Sequence, residues 1–284
     1  MPRASKTTAP KKPTKKKATG GIASRIQSMG EREIPGMKVN VYGQSGTGKT
    51  RFWSTWPQPT LVILASGGDD PGELISIDTP ANRKGIDELV IQKLSDINEL
   101  VEAIKSGELN KYETVVLDHA SGLQDIAVKE LLGLENSPVQ MGWGTASQQQ
   151  WGQIGLAMKE ALRHLLGLKQ NVLIIAQQRE FNVDNESDQL MPYVASALSP
   201  SVVGWLNPAV DYIVQTYKRN KVVTKTKKIA GKEVEQTVQT DEVEYCLRVG
   251  PHSMFTTKFR TASEDELPGS LVNPTYDKFV ALVK

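Results

Sequence analysis

Apolar residues fall along this chain in two alternating patterns. Short, mostly apolar runs occur at Met37 to Tyr42, Thr60 to Ala65, Glu113 to Asp118 and Asn171 to Gln177. Runs of this length, bounded by Gly, Pro or charged residues, predict strands buried on both faces, with Leu89 to Ile91 as a further short one. Between them the apolar residues recur at helical spacing. Lys49 to Trp56 follows the first strand and stops at Pro57. Ile97, Leu100, Val101 and Ile104 define a helix that starts near Asp96 and ends at Gly107. Leu123, Ile126, Ala127 and Leu131 place another over Ser121 to Leu132, and the stripe from Ile154 through Met158 and Leu162 to Leu166 is the clearest of all. Strands alternating with helices predict an α/β fold, a mostly parallel sheet with right-handed crossovers and helices on its faces.

The later half departs from this alternation. Residues 133 to 150 are rich in Gly, Ser and Gln and predict a loop. Residues 182 to 208, with Pro192, Pro200 and Pro208, predict an irregular segment, and Ala209 to Tyr217 returns to a strand. Val/Thr alternation over residues 218 to 232, with a turn near Ala230-Gly231, predicts an antiparallel β-hairpin. Glu242 to Val249 and Met254 to Phe259 read as two more strands, and Tyr276, Phe279, Val280 and Leu282 as a short closing helix. The resulting division is a tail over 1–20, a linker with a short helix over 21–36, a core over 37–217, a hairpin insertion over 218–241, final core strands over 242–262 and a closing segment over 263–284.

Composition narrows the class. A chain of 284 residues with 39% apolar content buries a sizeable core. The single Cys246 excludes an internal disulfide and points to a reducing, cytoplasmic setting; His119, His164 and His252 are not spaced as a metal cluster. No apolar run approaches the length of a membrane span, and the basic N-terminus lacks the apolar segment of a signal peptide.

The net charge of +2 hides an asymmetry: residues 1–30 carry eight Lys/Arg and no Asp/Glu, leaving 26 basic against 32 acidic residues in the rest. The tail over residues 1–20 has too few large apolar side chains to offset the entropy of ordering, and reads either as a solubilising extension or as an electrostatic arm for nucleic acid. Residues 218–232 add seven Lys/Arg and no acid.

The chemistry lies in Gly43, Gln44, Ser45, Gly46, Thr47, Gly48, Lys49 and Thr50, a G-x-x-x-x-G-K-T phosphate loop directly after a predicted strand and before a predicted helix. Its glycines let the backbone bring several N–H groups to phosphate oxygens, which the positive end of the following helix also attracts. Lys49 then neutralises the β- and γ-phosphates of ATP, and the Thr50 hydroxyl holds Mg²⁺. A carboxylate at the end of a neighbouring strand completes such a site, and Asp118 fits that place as a second metal-holding residue. Gln177 ends the next apolar run, where it either senses the γ-phosphate or is an ordinary polar strand end.

The order of phosphate loop, apolar strand with Gly67-Gly68, strand ending in Asp118, long helix, strand ending in Gln177 and late Lys258-Phe259-Arg260 resembles the RecA-type P-loop ATPase core. More narrowly, it resembles the phage-encoded AAA-type nucleotide-binding proteins, among them ATP-dependent single-strand annealing proteins. The resemblance covers about residues 36–262. It implies a homo-oligomer, ring or filament, with ATP between subunits and Lys258 and Arg260 reaching the neighbour's γ-phosphate. It also implies DNA-facing loops near 133–150 and 179–204, although neither stretch is markedly basic. Relatives place a catalytic glutamate where this chain has Ser66, and a serine cannot accept a proton from water at neutral pH. Asp69, Asp70 or Glu73 substitutes for it, or turnover is slow.

The leading expectation is an oligomeric ATPase acting on DNA, single-stranded by preference, in phage recombination, replication or repair. A nucleotide-gated loader or adaptor of a replication complex is the second expectation. A small-molecule kinase ranks third, for want of any acceptor or lid motif.

Overall fold

A computed structural model describes residues 26, 28, 34–65, 74–134, 146–181, 193–229, 232–263 and 265–283, and only the backbone of 225–229 and 232–236. The chain divides into two units, Met1–Ile34 and Pro35–Lys284, and every described element lies in the second. Strand β1 (Lys38–Gly43) is wholly buried and leads into helix α1 (Lys49–Trp53). There follow β2 (Thr60–Leu64), a short 3₁₀ turn, α2 (Asn82–Gly85), β3 (Ile86–Val90), α3 (Leu94–Ser106), β4 (Thr114–Asp118), α4 (Ala120–Leu132) and α5 (Gln148–Leu166). The second half contains β5 (Asn171–Phe181), β6 (Tyr193–Ser196), α6 (Pro200–Ala209), β7 (Tyr212–Ile229), β8 (Lys232–Arg248), β9 (Lys258–Phe259), β10 (Ser270–Val272) and α7 (Tyr276–Val280).

The sheet runs β10-β8-β7-β1-β5-β4-β2-β3, parallel from β7 to β3 and antiparallel over β7, β8 and β10. Alternate residues of the central strands feed two cores. Tyr42, Ile63, Leu117 and Ile174 face α3, α4, α5 and α6, whose stripes include Ile97, Leu123, Met158 and Val202. Val41, Val62, Val116 and Ile175 face the other way, onto Phe52, Trp53 and Trp56 and onto Phe279 of α7. Phe279 makes edge contacts with Phe52, Tyr212 and Phe259, so the closing segment seals this second core.

Several expectations need correction. Helix α1 stops at Trp53, short of the predicted Trp56. Asp96 is the third residue of α3, not its start; its carboxylate accepts from the backbone N–H groups of Gln92 and Lys93 and so caps the helix from inside. Part of the predicted irregular segment, 193–208, is ordered as β6 and α6. Pro200 sits at the first helical position, where a missing N–H costs nothing, and Val202, Val203 and Leu206 fill the core face. Helix α5 takes in the end of the predicted 133–150 loop, because Ser147 and Gln150 form a reciprocal cap.

Strand β5 does not end at Gln177 but runs on to Phe181, where β6 pairs with it antiparallel. The predicted hairpin is the outer part of two strands of 18 and 17 residues, and the expected turn at Ala230-Gly231 lies outside the described residues. Parallel pairing with β1 stops at Thr216, so residues 217–229 project beyond the sheet paired with β8, about 40 Å at the usual strand rise. The expected Met254 to Phe259 strand is reduced to β9 and one isolated bridge.

Buried Lys38 ties the start of β1 to the turn between α5 and β5, donating from Nζ to the carbonyls of Leu168 (2.7 Å) and Gln170 (2.5 Å). Burial pulls its pKa down to about 8, against the opposing pull of Asp211. The folded state therefore holds fewer protons than the unfolded chain between about pH 8 and 10.5, and stability from this group rises with pH across that window. Urea unfolding is expected to show wild type gaining on Lys38→Met as pH rises through that interval; a pH-independent difference contradicts the assignment.

Candidate nucleotide site

Gly43 is the last residue of β1, and the chain then leaves the sheet as an open loop. Gly46 and Gly48 adopt left-handed backbone angles, φ +71° and +91°, which residues with side chains rarely tolerate. Gly43 is needed for a different reason: a β-carbon there would collide with the side chain and carbonyl of Thr216 on β7. The Thr47 hydroxyl donates to the Gln44 carbonyl (2.7 Å) and lies 2.7 Å from the Thr216 hydroxyl, pinning the loop to β7.

Lys49 opens α1 with its Nζ folded under the loop. It donates to the carbonyls of Gly43 (2.9 Å) and Gln44 (2.8 Å) and to Oε1 of Gln177 (3.3 Å). Burial lowers its pKa, and the charge of Asp118 opposes that shift. Since α1 has only five residues, charge attraction here comes chiefly from Lys49 and the loop N–H groups.

Asp118 ends β4 at 9% exposure. Its Oδ2 accepts from Nε1 of Trp53 at 2.9 Å. Burial raises its pKa, while the Trp53 hydrogen bond and the charge of Lys49 act the other way. Sequence reasoning missed Trp53, yet a signal was present: four residues after Lys49, it shares the same face of α1. His119 caps α4, accepting from the Gly122 N–H at Nδ1 (2.9 Å), so its ring proton resides on Nε2; burial lowers its pKa and keeps it neutral.

A cavity of about 370 Å³ joins these parts, lined by Ser45, Gly46, Gly48, Lys49, Thr50, Asp118, His119, Gln177 and, from the hairpin, Tyr245. The donor set fits a magnesium nucleotide: loop N–H groups and an ammonium for phosphate, a hydroxyl and a buried carboxylate for a hard cation. Thr50 and Asp118 would hold such a cation.

Ser66, Asp69, Asp70 and Glu73 lie outside the described residues, as do 135–145 and 182–192 of the two expected DNA-facing loops. Lys258 and Arg260 are not brought to the cavity. β9 pairs with Tyr212 and Ile213 at the start of β7, the end of the sheet opposite the loop. Lys258 Nζ donates to the carbonyls of Asn207, Pro208 and Val210, and Arg260 pairs with Asp211 at 2.8 Å. This pair staples the turn between α6 and β7.

A glycine loop on a central parallel strand, a buried carboxylate on another strand of the same sheet and helices on both faces define a P-loop nucleotide-binding protein. The family comparison agrees: a model described as "AAA domain" matches residues 35–261, and the chain belongs to that family of P-loop ATPases. No curated protein matches the chain. No helix among the described residues is long and apolar enough to cross a membrane.

Two glycine substitutions test the loop's dependence on close packing. Gly43→Ala is expected to destabilise the fold by about 1–3 kcal/mol through overpacking against β7. Gly152→Ala, on an α5 face where nothing lies within 4 Å, is expected to stabilise it by about 0.5–1 kcal/mol. Denaturant unfolding of both variants measures the contrast, and equal effects contradict the packing account.

Proposed function

We propose that this chain binds Mg·ATP at Gly43–Thr50, hydrolyses it slowly, and works as a homo-oligomer on single-stranded DNA in phage recombination, replication or repair. The observation that carries the nucleotide reading is the one cavity on which Lys49, Thr50, Asp118 and Gln177 converge. Lys49 leaves the loop carbonyls to neutralise phosphate oxygens, and Gln177, its partner before binding, is released to contact the γ-phosphate or the attacking water. Thr50 and Asp118 would hold Mg²⁺, which when bound would supply charge to offset the negative charge developing on the phosphate oxygens. Asp118 is the one carboxylate lining the cavity among the described residues, and holding the cation occupies it; slow turnover follows.

Assembly with ATP between subunits draws on Arg260 rather than Lys258. Lys258 is held by three carbonyls, whereas the Arg260 side chain is 56% exposed, pairs with the Asp211 carboxylate and makes one longer bond, 3.4 Å, to the Pro208 carbonyl. The DNA reading rests on the basic tail and on the position of the hairpin, which leaves the sheet at the nucleotide end.

A second reading, the nucleotide-gated adaptor, is favoured by the hairpin's own ion pairs. Arg219 pairs with Glu244 and Lys221 with Glu242, and the register sets Lys228 opposite Glu233. Residues 218–244 hold seven Lys/Arg and five Asp/Glu, so little excess charge is left for phosphates. Affinity for a single-stranded oligonucleotide at two salt concentrations separates the readings: a DNA-acting protein binds with a steep salt dependence, an adaptor does not bind.

Lys49→Ala is expected to remove ATP binding in calorimetry while leaving the fold intact, and unchanged affinity rejects the site. Arg260→Ala is expected to keep ATP affinity but lose any stimulation of hydrolysis on assembly or DNA addition. Full stimulation in that variant rejects the trans role.

A further inference from the structure

Beside the phosphate cavity lies a second one of about 360 Å³, within the size range of small-molecule sites. The two share Gly48, Arg51, Ser76 and Tyr245, so a ligand anchored by its phosphates in the first extends into the second across that common wall. We infer that this second cavity holds the nucleoside of the bound nucleotide, with its base stacked on the ring of Tyr245. The inference rests on the nucleotide reading above and assigns the part of the ligand that the loop does not touch.

Tyr245 belongs to β8 and pairs with Lys218, where the hairpin parts from the sheet. Its ring packs over Gly48: a β-carbon on that glycine would lie 3.1 Å from Cδ1 of the tyrosine. The Arg51 guanidinium is 5.9 Å from the ring centre, on an exposed side chain free to move aside or close over a base. A half-buried aromatic face next to a phosphate cradle is the surface on which a base stacks.

The far wall is built in advance. The Asn273 N–H donates to the Tyr245 carbonyl at 2.7 Å, and the Tyr276 N–H to the Thr55 hydroxyl at 2.9 Å. Lys278 Nζ binds the carbonyls of Val272 (2.8 Å) and Asn273 (3.0 Å). Asn273, Pro274 and Thr275 therefore face Thr55 across the cavity on fixed backbone, with polar groups suited to the edge of a base or a ribose. The hairpin and the closing segment both become parts of the nucleotide site.

Calorimetry with two probes, ATP and inorganic tripolyphosphate in Mg²⁺, tests this. Wild type is expected to bind ATP more tightly than tripolyphosphate. Tyr245→Ala is expected to lose about tenfold in ATP affinity with tripolyphosphate affinity unchanged, and Tyr245→Phe to behave as wild type. Thr79→Trp, which fills the second cavity alone from an exposed position, is expected to repeat the selective loss and serves if Tyr245→Ala does not fold. ATP affinity indifferent to both substitutions, or equal losses for both probes, overturns the base platform alone. Wild type that binds neither probe overturns the nucleotide reading beneath it.

Discussion

Strand β1 is hydrogen-bonded in parallel on both sides, and its register sets Gly43 opposite Gln177 of β5 and Thr216 of β7. The rest of the site depends on that pairing. Three strand residues stand level at the point where the chain leaves the sheet, so the loop springs from a supported edge. Gly43 has no room for a side chain because Thr216 is so near, and that closeness lets Thr47 and Thr216 meet. On the other side, β5 brings Gln177 within 3.3 Å of Lys49. Strand β5 separates β1 from β4, and this spacing leaves Asp118 across the cavity from the loop rather than against it.

Much of this scaffold is visible in the sequence, because buried parallel strands and core-facing helices impose strong periods. The runs around Val62, Val116 and Ile174, and the stripe from Ile154 to Leu165, leave few alternatives. The loop, Lys49, Asp118 and Gln177 line one cavity, although Gln177 lies within β5 and not at its end. Other features depend on partners distant in sequence. Residues 178–180 are polar, and they extend β5 only because Tyr193–Ser196 pairs with its end. Pro200 reads as a breaker unless the helix it starts is known to pack through Val202 and Leu206. Trp53 and Tyr245 look like core aromatics until the fold sets one against Asp118 and the other against Gly48.

The hairpin shows the same limit for charge. A run of seven basic residues reads as a field for nucleic acid, but antiparallel pairing lays an acid-bearing strand along it. Exposed pairs such as Arg219–Glu244 contribute little to stability. Their larger effect is to reduce the field that phosphates would meet. At its base the hairpin is joined to the site through Gln178, Gln215 and Arg248, linked by hydrogen bonds of 3.1 Å, with Arg248 between the rings of Tyr217 and Phe255.

The central claim is that one sheet edge assembles a site for Mg·ATP, with Asp118 holding the cation. ATP affinity of wild type and Asp118→Asn, each measured with excess Mg²⁺ and with a chelator, tests it most directly. The account predicts that Mg²⁺ strengthens binding to wild type and that this dependence is lost in Asp118→Asn. Binding to wild type that ignores Mg²⁺, or a dependence that survives the substitution, contradicts it.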